Sequence, residues 1–497
     1  PDTWAHNLHI DDLRETDSGG KNDLFPTDQT ADVYTLFAFS SSASGEQSMK
    51  TVAAFGNYKD LSGGTDGAPY AFSESSNSKY NSFPRSNCNP GGTYNAACAE
   101  WDDKDNDGSP DAFYYASNGQ AVSDALTAIF ESIRQGTASG TAVTALTSRV
   151  SAGNVIAQAA FYPDKEFDHG KTVTWTGDVF AEWYYNGYIE DASGTPQLIQ
   201  NIREDTNSNF ELEVSSDRIL EYLILNGNLT IDAFDSNQYG EKLDATAEDT
   251  YTAIEDANNL FDCGEQLRVR DPDDRTIYGV DENDAMIQFT DTNWASFDTL
   301  LGSAVTEYPS CLVNSGSPQY EDLINYTRGR DIANCRARKT DSLAGENVWK
   351  IGDIIYSSPT IVEYQNYSMI YAGSNDGMLH AFRLGFIKNL GQPLNPAALC
   401  DDNSAATCTH ASHGKEEWAF VPKDAMPYLR YMADPSYDHI YSVDLKPYIV
   451  DTGARKILIG GMRMGGATDA GGAGAVNPPS DTGTTGRSAY FALDITD

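Results

Sequence analysis

Apolar and polar positions follow three different rhythms along this chain. Val33-Tyr34-Thr35-Leu36-Phe37-Ala38-Phe39 is an unbroken apolar, aromatic and β-branched run between Ser and Asp clusters. It predicts a buried strand of the kind found in parallel sheets. Glu46 to Phe55 predicts a helix stopping at Gly56, and Ala112-Phe113-Tyr114-Tyr115-Ala116 a second strand. From Val122 onward, Ala125, Leu126, Ile129, Phe130 and Ile133 recur every three or four residues. That is one face of an amphipathic helix, with Ser117 or Asn118 as N-cap and Gly136 as its end. Strands alternating with helices imply an α/β unit over residues 1–136.

Over residues 137–345 the rhythm changes to Thr, Val, Ser and aromatic residues. Thr172-Val173-Thr174-Trp175-Thr176-Gly177-Asp178-Val179-Phe180 alternates as a half-buried strand does, whereas Ala253 to Leu260 is compatible with a helix. The pattern predicts a β-rich connecting domain with a helical insertion. Residues 346–497 carry a third rhythm. Met369 to Gly373 and Met378 to Phe382 flank Ser374-Asn375-Asp376-Gly377 and predict a hairpin. Ile457 to Gly461, a Gly-rich excursion and Ser488 to Asp494 repeat the unit. Repeated strand, Gly-rich turn and strand point to a β-propeller, of which about two blades fit before Asp497. The expected fold class is therefore multidomain, α/β plus all-β, with the chain cut inside its last domain.

Charge narrows what such a chain can bind. The 497 residues hold 33 Lys and Arg against 73 Asp and Glu, a formal net charge of −40. This balance disfavours nucleic acid and anionic membrane surfaces and favours divalent cations. No apolar run approaches about 18 residues, so direct membrane insertion is not expected. The chain opens on Pro1 without a signal peptide, as a processed or trimmed segment would. Cysteine spacing supplies the compartment. Cys88 and Cys98 flank one polar loop, and Cys400 and Cys408 another, which suits two local disulfides in an oxidising environment. Zinc at Cys408, His410 and His413 is the competing reading, and it needs a fourth ligand and a reduced Cys408. Of Cys263, Cys311 and Cys335, at most two can pair, and spacing does not choose which.

Asp103-Lys104-Asp105-Asn106-Asp107-Gly108-Ser109-Pro110-Asp111 carries the strongest candidate chemistry. Carboxylates at alternate positions and a glycine turn wrap hard oxygen ligands around a cation of calcium size. The expected ligands are the carboxylates of Asp103, Asp105, Asp107 and Asp111 and the backbone carbonyl of Ser109. Tyr114 stands where the EF-hand pattern has its bidentate Glu, so weak binding is expected. Asp205-Thr206-Asn207-Ser208-Asn209 has the same period without the glycine and reads as a solvated loop.

The stretch from Trp349 to Pro359, the Tyr371–Phe382 hairpin, Gly414 to Pro422, His439 to Asp444 and Tyr490 to Asp497 resemble the propeller opening of the PilC/PilY family, tip-associated proteins of type IV pili. Asn325-Tyr326-Thr327-Arg328-Gly329-Arg330 resembles that family's motif ahead of the propeller. Asp12-Leu13-Arg14, the Val33 strand and the Asp103 loop resemble the rear portion of its von Willebrand A-like domain, without the Asp-x-Ser-x-Ser adhesion motif. The resemblance implies a non-enzymatic, extracellular protein at the pilus tip or cell surface. It would serve pilus biogenesis, adhesion and surface sensing, with minor pilins and a host or abiotic surface ligand as partners. Two enzyme readings compete. Gly414-Lys415-Glu416-Glu417-Trp418 also fits an element of quinoprotein dehydrogenases, but no adjacent cysteines or cofactor cage accompany it. A hydrolase lacks its Gly-x-Ser-x-Gly elbow, and His380 and His439 read as packing residues rather than bases.

Overall fold

A computed structural model describes residues 33–38, 42–56, 109–117, 122, 139–140, 144–145, 153–167, 171–190, 193–225, 228–341, 347–403, 408–437, 439–465 and 488–496. The chain divides into two compact units, Pro1–Gly136 and Thr137–Asp497.

In the first unit, strand Thr35–Ala38 pairs in parallel with Phe113–Ala116, Thr35 opposite Phe113 and Ala38 opposite Ala116. Parallel partners need a crossover, and helix Ala43–Gly56 lies within it. The helix starts three residues earlier than its periodicity suggests, and Glu46 and Lys50 form an i,i+4 ion pair at 3.1 Å. Ala53 and Ala54 are fully buried, and the Gly56 carbonyl accepts the Val33 N–H at 2.7 Å. The helix expected from Val122 to Gly136 lies outside the described residues, apart from Val122 itself.

The second unit is dominated by antiparallel sheet. Its largest sheet runs in the order Asp249–Tyr251, Asn228–Phe234, Ile219–Leu225, Pro196–Arg203, Lys171–Glu190, Gly153–Phe167 and Ser139–Gly140. The strand expected at 172–180 extends to Glu190 and loses its half-buried character. Val179 to Tyr185 is covered on both faces, by one core around Trp183 and another around Phe180. Ala253 to Leu260 is not a helix beyond the single 3-10 turn Ile254–Asp256. Ala253 supplies no side-chain cap, and Leu260, buried in the core, donates its backbone N–H to Ala181 at 2.8 Å and so joins the sheet edge.

A second sheet contains an antiparallel meander of Thr360–Glu363, Ser368–Gly373, Leu379–Asn389 and Glu416–Val421. The hairpin at Ser374-Asn375-Asp376-Gly377 is present as its periodicity predicts. Gly377 has φ +98°, and a Cβ there would stand 2.6 Å from Leu429 Cδ2, so both backbone and packing require glycine. Ile277–Val280 joins this sheet in parallel beside Glu416–Val421. A third sheet holds Tyr448–Asp451, Lys456–Gly461 and Tyr490–Asp494, all antiparallel. The interior is continuous across the sequence. Val155, Trp183 and Leu267 share a cluster with Ile370, Phe382 and Leu399.

Candidate functional site

Of the expected calcium ligands, Asp103, Asp105 and Asp107 lie outside the described residues. Ser109 sits in a bend and Asp111 in the turn that leads into strand Phe113–Ala116, with Pro110 accepting the Phe113 N–H at 2.8 Å. The Tyr114 hydroxyl is shifted up by burial, then by Tyr34 and by the nearby charge of Asp111. Asp111 therefore lies close to the start of this strand. Among the described residues, no cluster of three or more His, Cys, Asp or Glu is arranged to hold a metal ion.

The Asp205 segment is a loop with its tip, Asn207 and Ser208, exposed as expected, whereas Asp205 itself is buried. Asp205 is 2% exposed, and its carboxylate accepts the N–H groups of Asn209 at 3.1 Å and Phe210 at 2.8 Å. Asp217, fully buried behind it, accepts the Glu213 N–H at 2.7 Å. Burial pushes the Asp217 carboxyl up to about 8 against these hydrogen bonds. Glu182 is held by Gln158 and Tyr222 in the same sheet and is pushed up by burial to about 7.

The most organised group of charges in the second unit lies inside the meander. Arg275 donates through Nε and Nη2 to both oxygens of Glu416, each at 2.8 Å, and both side chains are fully buried. Glu416 also meets His380 Nδ1 at 2.8 Å, while His380 Nε2 meets Asp376 at 2.9 Å. Burial disfavours charge on His380, but Asp376 and Glu416 outweigh it and raise its pKa to about 9. Burial likewise opposes the Glu416 carboxylate, yet Arg275 and His380 hold it well below the usual range. Two cations and two anions thus balance without solvent. Asp376 further accepts the Gly352 and Met378 N–H groups at 2.9 and 3.0 Å, which fixes the hairpin turn. Arg275 donates to the Arg328 carbonyl at 2.8 Å, and Arg328 Nη2 returns a bond to the Arg275 carbonyl at 2.9 Å. This ties helix Tyr320–Arg328 to the sheet, and Gly329 closes that helix at φ +109°.

The quartet is built for rigidity. Both imidazole nitrogens of His380 are engaged by carboxylates, and the ring is fully buried, so it has no face from which to take a substrate proton. Within Gly414 to Trp418, Glu416 is spent on Arg275, and Trp418 packs at 5.7 Å on Tyr371. His439 meets Asp353 at 2.7 Å and lies 4.1 Å from the Trp175 ring. Only Asp376 preceding His380 by four residues hinted at the quartet in the sequence. Its other two members, Arg275 and Glu416, are 141 residues apart and out of reach of any local motif.

Cys400 and Cys408 form the expected disulfide, which removes the thiolate a zinc site there would need. His413 instead packs 5.0 Å from Phe210, its ring nitrogens 3.0 and 3.2 Å from the Leu384 and Leu399 carbonyls. Cys311 pairs with Cys335, leaving Cys263 as a buried free thiol. Cys88 and Cys98 lie outside the described residues. Removing the Cys311–Cys335 bridge by Cys→Ser exchange should cost about 3 kcal/mol by loop-closure entropy, and Cys400–Cys408 about 2–3 kcal/mol. Urea unfolding checks both values. Non-reducing peptide mapping should recover these pairs with Cys263 free.

No family model matches the chain, and no solved structure matches it. Two curated proteins of Xylella fastidiosa strain Temecula1, each described as a type IV pilus biogenesis factor PilY1 homolog, are similar to parts of it. One is 30% identical over 151 residues, which is 29% of this chain and 8% of the relative. The other is 33% identical over 131 residues, 26% of this chain and 6% of the relative. The matches therefore span less than a tenth of those relatives' own length.

Proposed function

We propose that this chain is part of an exported, type IV pilus-associated protein that works in pilus biogenesis, adhesion and surface sensing by binding rather than by catalysis. The similarity to two pilus biogenesis factors is the observation that carries the reading. Two disulfides suit an oxidising compartment, and no helix among the described residues is long and apolar enough to cross a membrane. The four-stranded meander and the three-stranded sheet after it are what the opening blades of a propeller would supply. Residues 1–136 are read as the rear portion of a von Willebrand A-like domain, residues 137–345 as the connecting domain and residues 346–497 as the blades. The parallel pair Thr35–Ala38 and Phe113–Ala116 with its intervening helix supports the first of these. A rigid sheet platform offers its loops to minor pilins or to a surface ligand.

Deleting the gene in its source organism should reduce surface piliation, twitching and attachment, and a plasmid copy should restore them. Normal values for all three, with loss of a dye-linked dehydrogenase activity, would replace this reading with the quinoprotein one. Calcium belongs to the same proposal, at Asp103, Asp105, Asp107, Ser109 and Asp111. Without a twelfth-position carboxylate, a Kd of about 10⁻⁴ to 10⁻³ M is expected. Calorimetry should detect that binding in the native chain and lose it in an Asp105→Ala/Asp107→Ala variant. Identical melting of the two proteins with and without calcium would remove calcium from the account.

A further inference from the structure

Strands Gly153–Phe167 and Lys171–Glu190 form one long hairpin, and each brings a charged side chain into the interior of the second unit. On the first strand Lys165 pairs with Val173, and on the second Asp178 pairs with Ala160. The Lys165 side chain is only 10% exposed and lies among rings. Its ammonium is 4.5 Å from the centre of Tyr162, 4.4 Å from that of Trp349 and 5.7 Å from that of Phe167. It meets Glu255 at 3.1 Å and stands 3.8 Å from Asp178 Oδ2.

The Asp178 side chain has no exposure, and its two oxygens have different surroundings. Oδ1 accepts the backbone N–H groups of Val179 and Gly264, each at 2.7 Å. A Cβ at position 264 would stand 2.6 Å from both carboxyl oxygens, so only glycine lets that N–H approach so closely. Oδ2 receives no hydrogen bond. Burial, and then the charge of Asp262, push the Asp178 carboxyl well above the usual carboxylate range. Asp178 is therefore the protonated acid of the pair, and it hydrogen-bonds the Asp262 carboxylate. Asp262 is fixed in turn as the N-cap of helix Cys263–Val269, accepting the Glu265 N–H at 2.7 Å. Burial opposes the charge on Lys165, and the surrounding acids outweigh it, so the lysine rests as an ammonium beside Glu255.

These are the parts of an acyl transfer at Asp178 Cγ. A lysine nitrogen is within reach of a neutral acid, two N–H donors hold one oxygen, and a carboxylate stands beside the group. We infer that Lys165 and Asp178 condense to an isopeptide bond that joins the two strands covalently. Glu255 takes one proton from the Lys165 ammonium and passes it to solvent, which its 26% exposure allows. The free amine attacks Cγ, and the Val179 and Gly264 N–H groups hold the charge that grows on Oδ1. Asp262 takes the second proton from the attacking nitrogen and delivers it to the departing Oδ2 hydroxyl. The Nζ–Cγ bond forms, the Cγ–Oδ2 bond breaks, and one water leaves. The balance needs no oxidant, reductant or co-reactant, and the bond does not depend on the pilus assignment.

The test is intact-mass spectrometry of the native chain, purified folded and then denatured and reduced. It should be lighter than its sequence by one water, about 18 Da. Tandem mass spectra of a tryptic digest should place the link between Lys165 and Asp178. Lys165→Arg and Asp178→Ala should each restore the full mass, and Asp262→Asn should leave most of the chain unlinked. Asp178→Asn should still form the link, now with loss of ammonia, about 17 Da, an outcome no ion pair can produce. Should these variants fail to fold, the mass and the linked peptide of the native chain still decide. A native chain at its full sequence mass overturns the inference. So does a water lost without a Lys165–Asp178 link, as succinimide formation at an Asp-Gly step would give.

Discussion

A Glu416→Ala variant is expected to lose about 3–5 kcal/mol of folding stability, the cost of leaving buried charge without its partner. Arg275 and His380 would both face the vacated site, and both are fully buried. Water cannot reach them without disturbing the meander. The sign of the effect is testable separately from its size. With Glu416 gone, the His380 pKa should drop from about 9, since Glu416 is one of the two carboxylates that raise it. Imidazole NMR titration reads that drop. A paired Arg275→Met/Glu416→Leu variant should be less damaged than the sum of its single changes, because replacing both partners avoids the orphaned charge. Additive losses would mean that the pair is not energetically coupled.

Stability should fall as pH rises from about 5 to 9. Three groups have a folded pKa above the unfolded one: Glu182 at about 7, Asp217 at about 8 and His380 at about 9. For each, the stabilising contribution is fully present below the unfolded pKa, near 4 for the acids and 6.5 for histidine, and is lost as pH climbs through the folded value. Glu416 and Asp376 behave oppositely. Their folded pKa values are depressed, so their contribution is present above about 4 and lost on acidification. The optimum therefore falls near pH 5. On its alkaline side the slope is on the order of 1 kcal/mol per pH unit for each extra proton the folded chain retains. Urea midpoints across this range measure it. Glu182→Gln should flatten the segment between pH 5 and 7, and a steeper or unchanged segment would contradict the assignment.

Local patterns carried part of this fold into view. The Val33 run and Ala112 to Ala116 read as strands and pair in parallel, but they are less covered than their apolar sequence predicts: Thr35 and Phe37 are buried while Tyr115 is 51% exposed. The 369–382 hairpin was legible because Asp-Gly stands between two short apolar runs. Cys400 and Cys408 lie close enough in sequence to read as a pair, whereas Cys311 and Cys335 meet only once helix Tyr320–Arg328 has folded between them. Long-range pairing was not legible. Ile277–Val280 lies beside Glu416–Val421 in parallel register, and no periodicity in either segment names the other. Ala253 to Leu260 misled because its composition suits a helix, while the backbone of Leu260 is claimed by a sheet edge. The charged quartet was hidden for the same reason. Arg275, Asp376, His380 and Glu416 converge only through tertiary structure.

The most direct test of the pilus reading is location. Pili sheared from cells of the source organism, labelled with gold-conjugated antibody against residues 137–497, should carry label in the fibre fraction, concentrated at fibre ends. Label confined to the cell interior, with none in the sheared pili of a normally piliated strain, would contradict the account.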